Sequence, residues 1–195
     1  MKNVLWYKEP AATWEDALPL GNGHIGAMVF GRVEEERIAL NDDTLWSGYP
    51  KKKENPDALE YLPKVQKLVM EGNIQEAQAL ANKHLAGLFT ECYLPLGDLK
   101  IRTEIHGDVT NFIRDLDIQQ GIAAVSFSAG DVRYGREAFV SAPSDAFVML
   151  LSATQPTNYE LTMESQLRYN LRVEEQTLYM RGYAPEVAMP SYYEC

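Results

Sequence analysis

The sequence is poor in residues that several large classes of protein require. Among its 195 residues are only two cysteines and three histidines, and no run approaches the roughly 20 apolar residues that cross a bilayer as a helix. One pair of cysteines cannot supply the disulfide framework of a small secreted domain, so we interpret Cys92 and Cys195 as free thiols. The first residues also lack the apolar stretch of a signal peptide. We therefore expect a cytoplasmic protein without a membrane partner.

Positive charge is also scarce. The 18 basic residues are outnumbered by 28 acidic ones, which gives a formal net charge of -10. A chain this acidic repels phosphate groups, which argues against a nucleic-acid partner.

Motifs for cofactor or nucleophilic chemistry are missing as well. The glycine-rich run G-N-G-H-I-G precedes a strand-like segment rather than a helix, so it does not predict a nucleotide site. The sequence contains no G-x-S-x-G, the motif that would indicate a serine nucleophile. His24, His84 and His106 lack the recurring spacing of metal ligands. We expect neither a metal nor a cofactor.

The sequence does contain a regular series of short segments rich in β-branched and aromatic residues. From Tyr93 onward, turn residues such as Gly107-Asp108 and Gly130-Asp131 separate seven of them. This spacing predicts a mainly β protein, in which antiparallel sheets pack as one large sandwich domain over residues 1–195. The predicted strands are 96–105, 112–118, 122–128, 132–141, 146–153, 159–166 and 177–183.

A helical pattern interrupts the strands at residues 56–86. Apolar residues recur there at helical spacing, and Gly72 is placed to end the first helix. Pro63 would either kink that helix or divide it. Asn73, with Glu76 three residues later, resembles a capping box that opens a second helix. The segment predicts a short two-helix insertion.

The most unusual segment is the run from Leu18 to Gly48. It holds five glycines, a histidine, a tryptophan and an Asn-Asp-Asp cluster. Its two apolar pieces, 26–30 and 32–40, predict a hairpin that places residues 41–48 at one end of a sheet.

Polar side chains in this run are candidates for binding. Trp46 can stack on the apolar face of a sugar while neighbouring amides and carboxylates bind its hydroxyls, or it can anchor its own loop. Glycoside hydrolysis needs two carboxyl groups roughly 5 to 10 Å apart, and Asp42, Asp43 and Glu91 are candidates by type alone. We assign no catalytic residue. The candidate substrate-binding or domain-interface residues are Asn22, His24, Asn41, Asp43 and Trp46.

Six motifs together resemble the N-terminal domain of family 95 glycoside hydrolases, the inverting α-L-fucosidase family. They follow the family's order and cover nearly the whole chain. The motifs are W-E-D-A-L-P-L-G-N-G-H-I-G-A-M-V-F-G, L-N-D-D-T-L-W-S-G, Y-L-P-L-G-D-L-K-I, R-D-L-D-I-Q-Q-G-I-A-A-V-S-F, Y-G-R-E-A-F-V-S-A-P and R-G-Y-A-P.

The resemblance implies a β-sandwich of the super-sandwich type that precedes an (α/α)6 catalytic barrel. The family's catalytic residues lie in that barrel, which is expected downstream and is absent from these 195 residues. The resemblance therefore implies a non-catalytic domain of an exo-acting enzyme that removes terminal α-L-fucose or α-L-galactose from glycans. Its expected partners are the barrel and a fucosylated or related glycan, and the chain alone is expected to be inactive.

Two departures from the family accompany this resemblance. The family often has L-N-E-x-T-L-W where this chain carries Asp42 and Asp43, and its sandwich normally continues for several strands beyond R-G-Y-A-P. A sandwich incomplete at its C-terminal side leaves a strand edge unpaired, so we expect the chain alone to associate with itself. The alternative function is a stand-alone carbohydrate-binding or structural module.

Overall fold

The computed structural model describes residues 3–50, 52, 54–87 and 91–188. The chain divides into two compact units, one formed by Met1–Trp46 with Tyr93–Pro185 and the other by Ser47–Cys92 with Glu186–Cys195. Within the described ranges, the first unit carries the strands and the second carries the helices. The strands are β1 (Val4–Tyr7), β2 (Leu18–Gly21), β3 (Ile25–Val29), β4 (Glu35–Asp42), β5 (Gly97–Thr103), β6 (Val109–Asp117), β7 (Ile122–Ala129), β8 (Val132–Ser141), β9 (Ala146–Ala153), β10 (Tyr159–Glu164), β11 (Arg168–Glu174) and β12 (Thr177–Tyr183); the helices are α1 (Ala58–Met70) and α2 (Ile74–His84).

The strands form two five-stranded sheets and one hairpin. Sheet I has the order β1-β6-β7-β8-β9, sheet II has the order β10-β5-β4-β3-β2, and β11 pairs with β12. Every pair of neighbouring strands is antiparallel. The prediction of a mainly β protein built from antiparallel sheets with two helices is confirmed.

The core lies between sheet I and sheet II because each sheet turns one apolar face inward. Along β7, alternate residues are buried, as expected for a strand with one covered face. The central cluster combines side chains from both sheets, namely Leu18, Leu20, Ala27, Val29, Ile38, Ile101, Leu116, Ala123 and Ala138.

This core also encloses an ion pair. Glu36 in β4 is fully buried, and its carboxylate lies 2.9 Å from the guanidinium of Arg136 in β8. The same carboxylate accepts the backbone N–H of Gly31 at 2.7 Å. Arg136 also donates to the backbone carbonyl oxygens of Arg32 and, at 2.7 Å, of Val33. The pair therefore joins a strand of sheet II to a strand of sheet I inside the apolar layer.

The connection between β1 and β2 covers part of the outer face of sheet II. Ala11 and Ala17 pack there against Phe30 and Ala39. The guanidinium of Arg114 holds this connection in place, since it donates to the carbonyl oxygens of Glu9 and Asp16, each at 2.7 Å. Burial lowers the pKa of Arg114.

The helical unit follows the predicted pattern with two differences. Helix α1 continues through Pro63, so the proline does not divide it. Asn73 stands at the N-cap of α2 but makes no side-chain capping hydrogen bond, so the predicted capping box is not formed. Gly72 follows α1 with φ of 79°, and the next N–H bonds back to the Leu68 carbonyl, which is the pattern of a Schellman end. In the described chain, neither helix has the length and apolarity needed to cross a membrane.

Three strands were not predicted from the sequence. β1 pairs with β6, and β2 pairs with β3 as an edge strand, where Pro19 is tolerated because an edge leaves some N–H positions unpaired. β11 is largely exposed and polar, and it is held by its hairpin with β12. The hairpin of β3 and β4, in contrast, lies where the apolar periodicity predicted it.

Candidate functional site

A polar cluster lies where the ends of the two sheets approach one another. The turn between β2 and β3 carries Asn22 and His24, β4 ends at Asp42, and Asp145 lies in the turn between β8 and β9. The Asn22 side-chain oxygen accepts the backbone N–H of His24 at 2.9 Å and that of Ile25 at 2.7 Å. These bonds shape the β2–β3 turn so that the imidazole is presented to the carboxylates.

Both ring nitrogens of His24 face carboxylate oxygens. Nδ1 lies 2.7 Å from Asp145 Oδ2, while Nε2 lies 3.2 Å from Asp43 Oδ1 and 3.5 Å from Asp42 Oδ2. A neutral imidazole can donate from only one nitrogen, whereas a protonated one donates from both. The arrangement therefore suits an imidazolium surrounded by three carboxylates.

The carboxylates are oriented by neighbours of their own. The Asn22 amide donates to Asp145 Oδ1 at 3.0 Å and to the Ser141 carbonyl at 3.2 Å. The other oxygen of Asp42 accepts the backbone N–H of Thr44 at 2.9 Å and its hydroxyl at 2.5 Å. Since these bonds lock the acceptors, the cluster is a built feature of the fold rather than a chance encounter of surface charges.

The same contacts shift the protonation equilibria. The pKa of His24 is raised, chiefly by its hydrogen bond to Asp145; desolvation opposes this rise, and attraction to Asp145, Asp42 and Asp43 adds to it. The pKa of Asp145 is lowered by hydrogen bonds from Asn22 and His24. The pKa of Asp42 is lowered by its hydrogen bonds from Thr44. The cluster thus favours a positive ring beside negative carboxylates.

Three side chains of this cluster, one imidazole and two carboxylates, could hold a metal ion. One ligand atom each from His24, Asp42 and Asp43 lie within 4.8 Å of one another. One imidazole with carboxylates is a set that zinc accepts. A protonated ring also fits this cluster, because Nδ1 lies 2.7 Å from Asp145 Oδ2, a distance typical of a charge-assisted hydrogen bond.

Trp46 lies beside this cluster but has partners of its own. Its indole N–H donates to the Asp43 carbonyl at 2.8 Å, and its ring packs against Tyr93 with centroids 5.3 Å apart and planes tilted by 58°. About half of the side chain stays exposed. The anchoring of this loop is therefore observed, while stacking of Trp46 on a sugar stays a prediction.

Asn41 is separated from the other candidates. It precedes Asp42 in β4, and successive side chains of a strand point to opposite faces. Asn41 lines a cavity on the outer face of sheet II together with Trp14. Of the five candidates, Asn22, His24 and Asp43 share the polar cluster directly, and Trp46 joins it through the Asp43 backbone.

Two members of this region were missed by the sequence reasoning. Asp145 has φ of 46° in the β8–β9 turn, and Tyr93 supplies the ring against Trp46. The turn itself was recognisable from Pro143-Ser144, but nothing in the sequence indicates that it approaches the β2–β3 turn. That proximity depends on how the two sheets pack.

The stability that His24 contributes should depend on pH. Because its folded-state pKa is raised, the folded state binds the ring proton more tightly than the unfolded chain does. This contribution is complete when the pH is below the pKa of His24 in the unfolded chain, about 6.5. It is lost as the pH rises through the pKa of His24 in the folded state. We expect the difference in unfolding free energy between the wild type and His24→Gln, measured with urea, to shrink as the pH rises above about 6.5.

Two variants test whether the carboxylates cause this effect. His24→Arg keeps a permanent cation, so its difference from His24→Gln should stay level over the same pH range. Asp145→Asn should lower the pKa of His24 as followed by NMR of the imidazole, and asparagine tolerates the positive φ at that position. An unchanged His24 pKa in Asp145→Asn would contradict the role given to this carboxylate.

Comparison with known proteins places the chain among glycosidase sequences. The family model for the glycosyl hydrolase family 65 N-terminal domain matches residues 5–193. The chain is similar to "Alpha-L-fucosidase 2" of Arabidopsis thaliana, with 34% identity over 185 residues that cover 91% of this chain and 22% of that protein.

Two fungal proteins show the same relation. "Probable alpha-fucosidase A" of Aspergillus niger is 31% identical over 144 residues, which cover 70% of this chain and 18% of that protein. The protein of the same name from Aspergillus oryzae is 26% identical over 200 residues, which cover 94% of this chain and 27% of that protein. The chain thus spans about a fifth to a quarter of the length of these relatives.

Proposed function

We propose, because this chain belongs to the glycosyl hydrolase family 65 N-terminal domain family, that it serves as the non-catalytic N-terminal domain of a larger α-L-fucosidase. The observation that carries the proposal is the match over residues 5–193, together with relatives named "Alpha-L-fucosidase 2" and "Probable alpha-fucosidase A", of which the matched residues cover only 22% and 18%. The finer proposal is an inverting enzyme of family 95 that removes terminal α-L-fucose or α-L-galactose. It is supported by the six motifs described above.

The carboxylates of the polar cluster support a non-catalytic role. Glycoside hydrolysis uses two carboxyl groups across the scissile bond, and the one that acts as general acid has a raised pKa. In the cluster, the pKa values of Asp42 and Asp145 are lowered instead. Burial raises the pKa of Glu36, but that side chain is inaccessible to a glycan and is paired with Arg136. Asp42 and Asp145 are therefore poorly suited to act as the proton donor.

The polar cluster is better suited to contact than to catalysis. His24 and Asp43 are partly exposed, and Trp46 presents about half of its ring beside them. Aromatic residues are enriched at protein interfaces, and the rims of interfaces are polar. We propose that this edge, formed by Asn22, His24, Asp43 and Trp46, faces the catalytic barrel and contributes to the rim of its glycan pocket.

The isolated chain should release no L-fucose. We expect incubation with 2'-fucosyllactose and with 4-nitrophenyl α-L-fucoside to give the same signal as buffer, because the lowered pKa values of Asp42 and Asp145 suit neither group to act as the general acid. The Arabidopsis thaliana relative serves as the positive control in both assays. Release above buffer that disappears in Asp42→Asn or Asp43→Asn would overturn the non-catalytic assignment.

A further inference from the structure

The outer face of sheet II carries a second polar site, which we call the Trp14 groove. It is a cavity of about 400 Å³ between β4, β5 and the end of β10, with Trp14 on one side. Its size falls within the range of small-molecule sites, which is roughly 300 to 1,000 Å³. The polar residues that line it are Arg37, Asn41, Asp98, Glu164, Ser165 and Gln166.

The charges in the Trp14 groove are largely neutralised by pairs. Arg37 Nε lies 2.9 Å from Asp98 Oδ2, and Glu164 lies 2.7 Å from the ammonium of Lys100. Arg37 uses one of its five N–H donors in this bond, and each carboxylate retains acceptor positions. The groove therefore offers donors and acceptors side by side without a strong net field for an ionic ligand.

Trp14 adds an aromatic surface to these polar groups. Its side chain is 52% exposed although the connection that carries it is held down by Ala11 and Ala17. An indole held on an ordered segment can stack on an apolar ring face at little entropic cost. Asn41 and Gln166 supply amides that can both donate and accept.

We propose that the Trp14 groove binds a neutral pyranoside. A sugar ring has one face of C–H groups for the indole and a rim of vicinal hydroxyls that match adjacent donors and acceptors. An anionic sugar would meet two cations, Arg37 and Lys100, that are already paired with Asp98 and Glu164. This inference goes beyond the proposed function, because the groove lies on the sheet face and shares no side chain with the polar cluster.

NMR of the tryptophan indole groups provides a direct test. The chain has three tryptophans, and Trp6, which is 60% exposed, is the matched internal control for Trp14 because Trp46 belongs to the edge proposed above to face a glycan. Methyl α-L-fucoside and methyl β-D-galactoside are titrated into the 15N-labelled chain. We expect a saturable shift of the Trp14 indole signal with a dissociation constant on the order of 1 mM, while the Trp6 signal stays in place.

Variants separate binding from accidental contact. Asn41→Ala and Gln166→Ala should each weaken binding about tenfold or more, since each removes polar contacts to hydroxyls. In Trp14→Ala, the backbone amide signals of the groove residues should no longer show saturable shifts. Trp6→Ala should bind the sugars as the wild type does. D-glucuronate should bind at least about tenfold more weakly than the neutral sugars, because it meets Asp98 and Glu164.

Three results would overturn the assignment. They are no saturable shift of Trp14 with either neutral glycoside, equal shifts of Trp6 and Trp14, or glucuronate binding as tightly as the neutral sugars. Backbone amide spectra and far-UV circular dichroism identify any variant that has unfolded, and the wild-type titration decides the question without a variant. The hydrolysis assay is separate, so failure of sugar binding here leaves the proposed function standing.

Discussion

Arg136→Met is expected to destabilise the sandwich by about 3–5 kcal/mol, because it leaves the Glu36 carboxylate buried without its counter-charge. Glu36 is fully buried in β4, and Arg136 is 3% exposed in β8. The guanidinium also satisfies the Arg32 and Val33 carbonyl oxygens. Urea unfolding of the wild type and the variant at neutral pH measures the loss.

The pH dependence of this loss identifies its cause. Burial already raises the pKa of Glu36, and removal of Arg136 removes the attraction that opposes the rise. A carboxyl group whose pKa is raised by folding destabilises the folded state at pH values above its pKa in the unfolded chain, about 4.3. At lower pH this destabilisation disappears. The difference between the wild type and Arg136→Met should therefore shrink as the pH falls toward 4. A difference independent of pH would indicate lost packing instead.

Two further variants separate the charge from the packing. The double variant Glu36→Leu/Arg136→Met removes both charges and should recover roughly 2 kcal/mol of the single-variant loss, although the backbone groups bonded to the pair lose their partners. Glu174→Ala breaks the exposed pair with Arg172 and should cost about 0–1 kcal/mol. A similar loss in Glu174→Ala and Arg136→Met would contradict the argument from burial.

Gly97→Ala is the second change with a large expected effect, about 3 kcal/mol or more. Gly97 begins β5 with φ of 150°, and an added Cβ would lie 2.2 Å from the Glu164 carbonyl oxygen. That atom belongs to the backbone, so β5 and β10 would have to separate where Asp98 pairs with Glu164. Backbone strain and forced overpacking each cost about 1–3 kcal/mol.

Gly121→Ala is the matched control for this prediction. Gly121 also has a positive φ, of 65°, but a Cβ there would meet nothing within 4 Å. Gly121→Ala should cost only the backbone strain of an alanine at positive φ, about 1–2 kcal/mol. Urea unfolding compares the two variants, and amide NMR signals of β10 should move only in Gly97→Ala. Equal losses would show that conformation alone, and not the clash, sets the cost.

Local sequence patterns were sufficient to predict the strands in which polar and apolar residues alternate between recognisable turns. The predicted strands 132–141, 146–153 and 177–183 coincide with β8, β9 and β12. These segments combine alternation with clear turn residues, so neighbouring residues alone indicate their structure. The polar strand β11 was missed, because it gains stability from its partner β12 rather than from an apolar face of its own.

The candidate site was predictable in part for the same reason. Asn22, His24 and Asp43 lie in a short stretch whose turn and hairpin could be read from glycines and apolar periodicity. Asn41 was grouped with them because it is adjacent in sequence, but strand alternation turns it toward the Trp14 groove. Asp145 was not found, since it lies 121 residues from His24 along the chain.

By itself the sequence determined the antiparallel β character, the position of the helices and the relation to glycosyl hydrolases, because each depends on residue types and spacings within short segments. Only the tertiary structure decided that one imidazole meets three carboxylates, that Glu36 is neutralised by Arg136 inside the core, and that Trp14 lies beside Asn41. Each of these contacts joins segments that are distant along the chain. Their proximity follows from how sheet I packs on sheet II and from how the β1–β2 connection folds over sheet II, which no local pattern specifies.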